Sequence, residues 1–199
     1  MTGAAPSFEP ARRPRADAAE RILRAAVRCI VESGAASLTM HDVAEEAGVS
    51  KGLIHYHFHD KETLLARVVE WMTRGIVTRE RELLMRTPAR EAIDAVWAWL
   101  DGETARGHLR VLIELAESKE ALVRSAVRKS ATARREAALV LTTQLFTLLG
   151  LKPRVPEQLL ADVIVAFNDG LVVSTSLDPE GNPRAAFDVF WLSLLSLAE

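Results

Sequence analysis

The fold of this chain is decided by residues 38–65, which read LTMHDVAEEAGVSKGLIHYHFHDKETLL. Thr39 can cap a helix, and Asp42 three positions later completes a capping box. A glycine-valine pair ends that helix, after which Ser50 can cap a second helix and Asp60 a third. The segment therefore predicts three helices that begin in quick succession and are joined by tight turns.

The spacing inside this segment is more informative than its periodicity. Ala44, Gly48 and Ile54 fall at positions x, x+4 and x+10. A small residue at Ala44 lets two helices cross closely, and Gly48 allows a left-handed turn between them. Val49 and Ile54 would hold the next helix onto the core. This pattern is typical of a helix-turn-helix, which presents its second helix to the major groove of DNA.

The same residues resemble a known family. The Gly-Val-Ser-Lys-Gly run at 48–52, the aromatic and histidine cluster through Phe58, and Lys61 followed by a glutamate and two leucines resemble the signature of TetR-type (TetR/AcrR) regulators. The resemblance extends over about residues 16–69. It implies a homodimeric repressor whose C-terminal domain holds a small inducer and whose last two helices pair with those of a partner.

The resemblance also implies which side chains contact DNA. Leu53 stands where several relatives carry a small polar residue, so a thymine methyl contact could replace a base hydrogen bond. His55 stands where a tyrosine often meets phosphate, and Lys61 matches a phosphate-contacting lysine. Thr39 could act as a helix cap as well, and Tyr56 could serve mainly in packing. The full expected set is Thr39, His41, Ser50, Lys51, Gly52, Leu53, His55, Tyr56, His57 and Lys61.

A metal site is the alternative for the histidines of this segment. On a helix His55 and His59 would share a face, while His57 would point away. Neither a cysteine nor an acidic cluster is positioned to complete a coordination shell. We therefore expect neither a metal nor another cofactor.

Composition favours an all-α fold. The 199 residues are 49% hydrophobic and 26% charged, with only 8 prolines and 10 glycines, and good helix formers recur throughout. Apolar periodicity and turn residues predict about nine helices, near 16–32, 39–47, 50–58, 61–84, 90–104, 109–117, 120–149, 157–176 and 184–198. We expect a disordered tail over 1–15, a helix-turn-helix domain over 16–60 and a ligand-binding and dimerisation domain over 61–199.

Charge and cysteine content limit the class of protein. The chain carries a net charge of −2, and residues 1–75 hold ten basic and ten acidic residues. A DNA-binding function would therefore need locally placed positive groups, such as Arg12, Arg13 and Arg15. The N-terminus lacks the apolar core of a signal peptide, no apolar run reaches the length of a membrane span, and the single cysteine, Cys29, suits a reducing cytoplasm.

The C-terminal part predicts an effector pocket and a dimer interface. A few polar groups among aromatics suit a largely apolar effector bound between the fourth and eighth helices, although each side chain alone is more often core than a ligand contact; the set is Trp71, Trp97, His108, Leu112, Leu115, Phe146, Phe167 and Asn168. The last helix is apolar nearly all round, which favours dimerisation; the expected interface is Leu160, Ile164, Phe167, Leu171, Phe187, Phe190, Trp191 and Leu194.

The function expected from the sequence is a repressor that a small effector releases from a palindromic operator. The alternative is a helical small-molecule sensor without specific DNA binding, which the neutral N-terminal part would suit. An enzyme is not expected, because the chain has no nucleophile elbow, phosphate-binding glycine loop or metal cluster.

Overall fold

A computed structural model describes residues 14–85 and 87–199, with side chains from Asp17 onward. The expected tail therefore lies, up to residue 13, outside the described residues, as do Arg12 and Arg13. The described part holds a short 3-10 turn (Ala89–Glu91) and nine α-helices: α1 (Pro14–Ser33), α2 (Met40–Ala47), α3 (Lys51–His57), α4 (Lys61–Glu82), α5 (Ala92–Ala105), α6 (His108–Ala116), α7 (Ala121–Leu149), α8 (Glu157–Leu177) and α9 (Pro183–Leu195).

The two ends of the described chain differ slightly from the sequence prediction. Helix α1 begins at Pro14, two residues early, because proline suits the first turn of a helix. Helix α9 ends at Leu195 instead of near Ala198. The last residues instead pair with the loop before α8: Arg154 N–H donates to the Leu197 carbonyl (2.8 Å) and Glu199 N–H to the Lys152 carbonyl (3.0 Å).

Helix α4 connects the N-terminal helices to the rest of the molecule. It packs on α1 at one end and along α7 over most of its length, and α7 in turn packs on α8. The buried apolar side chains form one continuous cluster from Ile22 in α1 to Leu194 in α9. The two expected domains therefore share a core through α4, and a boundary at residue 60 stays a prediction.

Helix α8 is long and apolar enough, by length and composition alone, to cross a membrane, contrary to the expectation from the sequence. Polar residues interrupt it, since Asn168 is buried and Asp169 pairs with Arg134 of α7 (2.5 Å). Its inner face packs on α6, α7 and α9. A core helix of this composition passes the same test, so α8 is weak evidence for a membrane span.

Candidate DNA-binding surface

The turn between α2 and α3 has the expected geometry. The Thr39 hydroxyl accepts a hydrogen bond from Asp42 N–H while the Asp42 carboxylate accepts one from Thr39 N–H, both at 3.2 Å, which confirms the capping box. Gly48 lies in the left-handed region (φ 61°, ψ 44°), where a side chain would be strained. The Ser50 hydroxyl then accepts from Leu53 N–H at 3.2 Å and begins α3.

Two buried side chains hold α3 and its C-terminal cap onto the core. Ile54 and Phe58 are buried, with 0% and 3% of their surface exposed. Lys51, His55 and Tyr56 lie on the exposed side of the helix. An exposed helix fixed by a narrow apolar contact is the arrangement that a major-groove recognition helix requires.

An arginine of α1 fixes the position of α2. The Arg21 guanidinium donates to the Ala47 carbonyl (2.7 Å) and the Gly48 carbonyl (3.3 Å). A cation at a helix C-terminus satisfies carbonyl groups that have no partner within the helix. Arg21 therefore connects the turn of the helix-turn-helix to α1. No local pattern in the sequence indicates this contact, because its partners lie 26 and 27 positions away.

Most of the predicted DNA contacts lie on the surface of this region. Leu53 and His57 are half-buried, and His41 lies 3.4 Å from Glu45 on the same helix. The exposed members of the predicted set are Thr39, His41, Ser50, Lys51, Gly52, His55 and Tyr56. Contacts of any of these residues with DNA stay predictions.

Two of the predicted DNA-contacting residues, Lys61 and His57, contact other residues of the protein. Lys61 is half-buried, and its ammonium donates to the Ala36 carbonyl at 2.9 Å, so a phosphate would have to replace that bond. His57 packs edge-on against Tyr56, with ring centroids 5.2 Å apart. Its Nε2 atom is buried without a hydrogen-bond partner among the described residues, so this nitrogen does not face the solvent.

The histidine-rich turn is stabilised by local bonds. His55 Nδ1 lies 3.2 Å from the carbonyl of His59, and the Asp60 carboxylate accepts from Thr63 N–H at 2.7 Å to begin α4. That backbone hydrogen bond lowers the pKa of Asp60. Within residues 14–85 and 87–199, no three histidine, cysteine or acidic side chains are grouped to hold a metal ion.

This geometry agrees with the comparisons to known proteins. Residues 22–68 match the family described as bacterial regulatory proteins, tetR family. The N-terminal part of the chain therefore carries a domain of the TetR family. An uncharacterised HTH-type transcriptional regulator of Mycobacterium tuberculosis is 28% identical over 186 residues, which cover 82% of this chain and 92% of the relative.

Solved structures with the same fold extend over the whole chain. Reduced NemR of Escherichia coli superposes with a TM-score of 0.74 at 16% identity, covering 89% of this chain and 97% of NemR. FadR of Bacillus subtilis in complex with stearoyl-CoA superposes with a TM-score of 0.66 at 22% identity, covering 88% of this chain and 96% of FadR. The C-terminal helices therefore share the fold of these two proteins.

The structure does not gather the eight predicted pocket residues around one cavity. Leu112, Leu115 and Phe146 are fully packed core side chains, each at most 4% exposed. Trp71 and His108 line a cavity of about 820 Å³, but it lies between α1, α4 and the start of α6. Apolar side chains at helical spacing predict burial, but they do not indicate whether the space between them is filled. The sequence therefore could not distinguish packed core residues from residues that line a cavity.

The remaining predicted pocket residues lie elsewhere. Trp97 lines a small cavity of about 30 Å³ together with Leu171 of α8. Phe167 stacks on Phe190 of α9, with centroids 3.8 Å apart, and Asn168 is buried. These contacts belong to the α8–α9 packing, not to an open pocket.

The predicted dimer residues mostly face inward. The buried ones are Leu160, Ile164, Phe187, Trp191 and Leu194, each at most 2% exposed, while Phe167, Leu171 and Phe190 are half-buried. The most apolar stripe of α8 and α9, which is the stripe predicted to contact the partner, fills the core of the protomer instead. The large apolar side chains that are exposed on these helices are Leu159, Val163, Val173, Leu177, Val189 and Leu192.

Two buried carboxylates, Glu80 and Glu103, were not predicted from the sequence. Glu103 is completely buried; burial by itself would raise its pKa, but hydrogen bonds from His108 and Arg79 lower the pKa to about 2. Glu80 is 4% exposed, and burial raises its pKa to about 8. Both lie in helices that also carry exposed charged residues. Only their neighbours in space distinguish these buried carboxylates from the exposed ones.

Proposed function

We propose that this TetR-family protein is a homodimeric repressor that binds a palindromic operator and leaves it when a small effector binds. The observation that carries the proposal is the helix-turn-helix at residues 39–58, whose capped turn exposes α3 inside a segment that matches the family. The names of its relatives support a transcriptional regulator that acts by binding, and not as an enzyme. We place it in the cytoplasm, where its DNA would be.

The exposed stripe of α8 supports dimerisation. Leu159, Val163, Val173 and Leu177 recur at helical spacing along one exposed side of this helix. Ala166 and Gly170 lie in the same stripe and are exposed, and a Cβ at Gly170 would meet no atom within 4 Å. Small residues flanked by apolar ones allow a second helix to approach closely. We therefore place the partner's α8 and α9 on this face.

The dimer can be tested without disturbing the protomer. We expect Gly170→Arg to give a folded monomer. The arginine has room within one protomer, but in a dimer it would clash with the partner and its charge would lose its hydration. Gln144→Arg, on an exposed position of α7, is the matched control and should remain dimeric. Sedimentation velocity decides the matter: a dimeric Gly170→Arg protein would exclude this interface.

Contacts of α6 with α1 give a route from the effector site to DNA. The Glu114 carboxylate of α6 accepts a hydrogen bond from Ala35 N–H, just after α1, at 2.5 Å. Gly107, which begins α6, packs so closely on Val31 of α1 that an added Cβ would lie 2.6 Å from Cγ2. An effector that shifts α6 would therefore shift α1 and the recognition helices, and would lower DNA affinity by linkage.

We further propose that the effector is largely apolar and binds between α4 and α8. The complex of Bacillus subtilis FadR with stearoyl-CoA supports a ligand in this fold. In the present structure Leu112, Leu115 and Phe146 are packed together with the core, so the effector would have to select an opened arrangement of these helices. Release of bound DNA by apolar compounds tests this part.

DNA binding is tested by a mobility-shift assay on the DNA upstream of the protein's own gene. We expect a retarded complex whose affinity falls steeply with salt, because phosphate contacts release counterions. Retention of a labelled apolar compound without any shift on DNA would instead favour a sensor that does not bind DNA.

A further inference from the structure

A cleft between α1, α4 and the turn before α6 has an unusual lining. Its volume is about 820 Å³, and five arginines line it: Arg24, Arg28, Arg74, Arg79 and Arg106. The single carboxylate in the lining is Glu20, which pairs with Arg24 at 2.6 Å. These arginines come from three separate parts of the chain, so folding alone brings them together.

A buried carboxylate fixes one wall of this cleft. Glu103 accepts hydrogen bonds from Arg79 at 2.5 and 2.9 Å, lies 3.5 Å from Arg106, and lies 3.2 Å from His108 Nδ1. One negative charge is thus shared by two guanidinium groups and an imidazole. The two guanidinium groups are held in place, and together with the carboxylate they keep one positive charge.

Two glycines make room for these arginines. A Cβ at Gly75 would lie 2.9 Å from Nη1 of Arg79, and a Cβ at Gly102 would lie 2.8 Å from Nη1 of Arg106. Glycine inside a helix is destabilising relative to alanine. Here it allows each guanidinium to fold back along its own helix and to lie in the cleft wall.

The cleft retains an excess of positive charge. Arg28 pairs with Glu46 of α2 at 2.5 Å, and about half of the arginine side chain stays exposed. Arg74 has no ion pair among the described residues and is exposed. Even when Glu20, Glu46 and Glu103 are all counted, five arginines face three carboxylates.

The position of the cleft argues against DNA as its occupant. Arg74 is thirteen residues after Lys61, the first residue of α4, and a rise of about 1.5 Å per residue puts it about 20 Å along that helix. The α4 wall of the cleft therefore lies well away from α3, whereas Arg28 on the α1 wall pairs with Glu46 of α2. A bound anion there would bridge α1 to α4 and α6.

We propose that this cleft binds a small phosphate-bearing anion through the arginines of α1, α4 and the α5–α6 turn. Guanidinium groups form paired hydrogen bonds with phosphate oxygens, and Trp71, edge-on to His108 at 5.7 Å, supplies an aromatic wall. Binding itself does not depend on the regulator function; a resulting change in DNA affinity rests on the proposed function.

The test is calorimetric titration of the full chain with pyrophosphate at constant ionic strength, without DNA. We expect saturable binding to the wild type and at least tenfold weaker binding to the Arg74→Ala/Arg106→Ala double variant, because charge-assisted hydrogen bonds are lost. Arg128→Ala removes an exposed arginine of α7 outside the cleft and should bind like the wild type. Circular dichroism checks that each variant is folded.

Three results would overturn the proposal. The first is no saturable binding of pyrophosphate to the wild type, and the second is equal weakening by Arg128→Ala and by the double variant. The third is weaker DNA binding by the double variant when pyrophosphate is absent, which would make the cleft part of the DNA footprint. Because the titration contains no DNA, its failure is distinct from a failure of the proposed repressor function.

Discussion

Glu80 provides a quantitative test of how the core of this protein is built. It lies on the inner face of α4 with 4% of its surface exposed. Burial raises its pKa from 4.5 to about 8; nearby Arg134 opposes this shift and Glu103 adds to it. The perturbation is Glu80→Gln, which keeps the shape of the side chain and removes the titration.

The sign of the effect follows from the direction of the pKa shift. Because the pKa of Glu80 is higher in the folded protein than in the unfolded chain, its favourable contribution is complete below pH 4.5 and is lost as the pH rises through about 8. Each pH unit within that window costs about 1.4 kcal/mol. Between pH 5.5 and 7.5 this residue should therefore lower the free energy of unfolding by about 2.5 kcal/mol.

The assay is urea unfolding followed by circular dichroism at pH 5.5, 6.5 and 7.5. Protein concentration is held constant, because subunit association contributes to apparent stability. The Glu80→Gln protein should lose markedly less stability over this range than the wild type. Glu82→Gln, an exposed position on the same helix, should behave like the wild type.

The reasoning about Glu80 is refuted if the Glu80→Gln protein and the wild type lose equal stability between pH 5.5 and 7.5. All three proteins otherwise carry the same ionisable groups, so those groups cannot produce a difference between them.

Three further predictions concern stability, each measured by chemical denaturation. Gly107→Ala should be more destabilising than Gly48→Ala by about 1–3 kcal/mol, since both positions have a positive φ but only a Cβ at Gly107 would clash with Val31; equal losses would contradict the close packing of α6 on α1. Thr39→Ala should cost about 1 kcal/mol because a capping bond is lost, and Thr39→Ser should restore most of it; no loss would contradict the cap. Between pH 5 and 2, Glu103 should cost the wild type about 3 kcal/mol, because its pKa is about 2 in the folded protein and about 4.5 in the unfolded chain; a Glu103→Gln protein with the same acid sensitivity would contradict this.

Local signals in the sequence were sufficient for the order of the helices and for the residues that begin α2, α3 and α4. Thr39, Ser50 and Asp60 each accept the backbone hydrogen bond of a helix cap, as predicted. The all-α fold and a TetR-family domain at residues 22–68 are confirmed. These features depend on residues within a few positions of one another, where capping and periodicity carry the information.

Features that depend on distant segments could not be predicted. The pairing of Lys61 with the Ala36 carbonyl and the burial of Glu103 against Arg79 join residues more than 20 positions apart. The arginine cleft likewise combines α1, α4 and the α5–α6 turn. For α8 and α9, an apolar pattern around the whole helix did not show which side faces the protomer core.

The central claim is that the exposed face of α3 binds DNA, and fluorescence anisotropy with a labelled duplex from the region upstream of the gene tests it most directly. Lys51→Ala/Tyr56→Ala changes two exposed side chains of α3 and should weaken binding at least tenfold, because a charged phosphate contact and an aromatic contact are lost. Lys129→Ala, on an exposed position of α7, should bind like the wild type. Unchanged affinity of the double variant, or no binding by the wild type, would contradict the account.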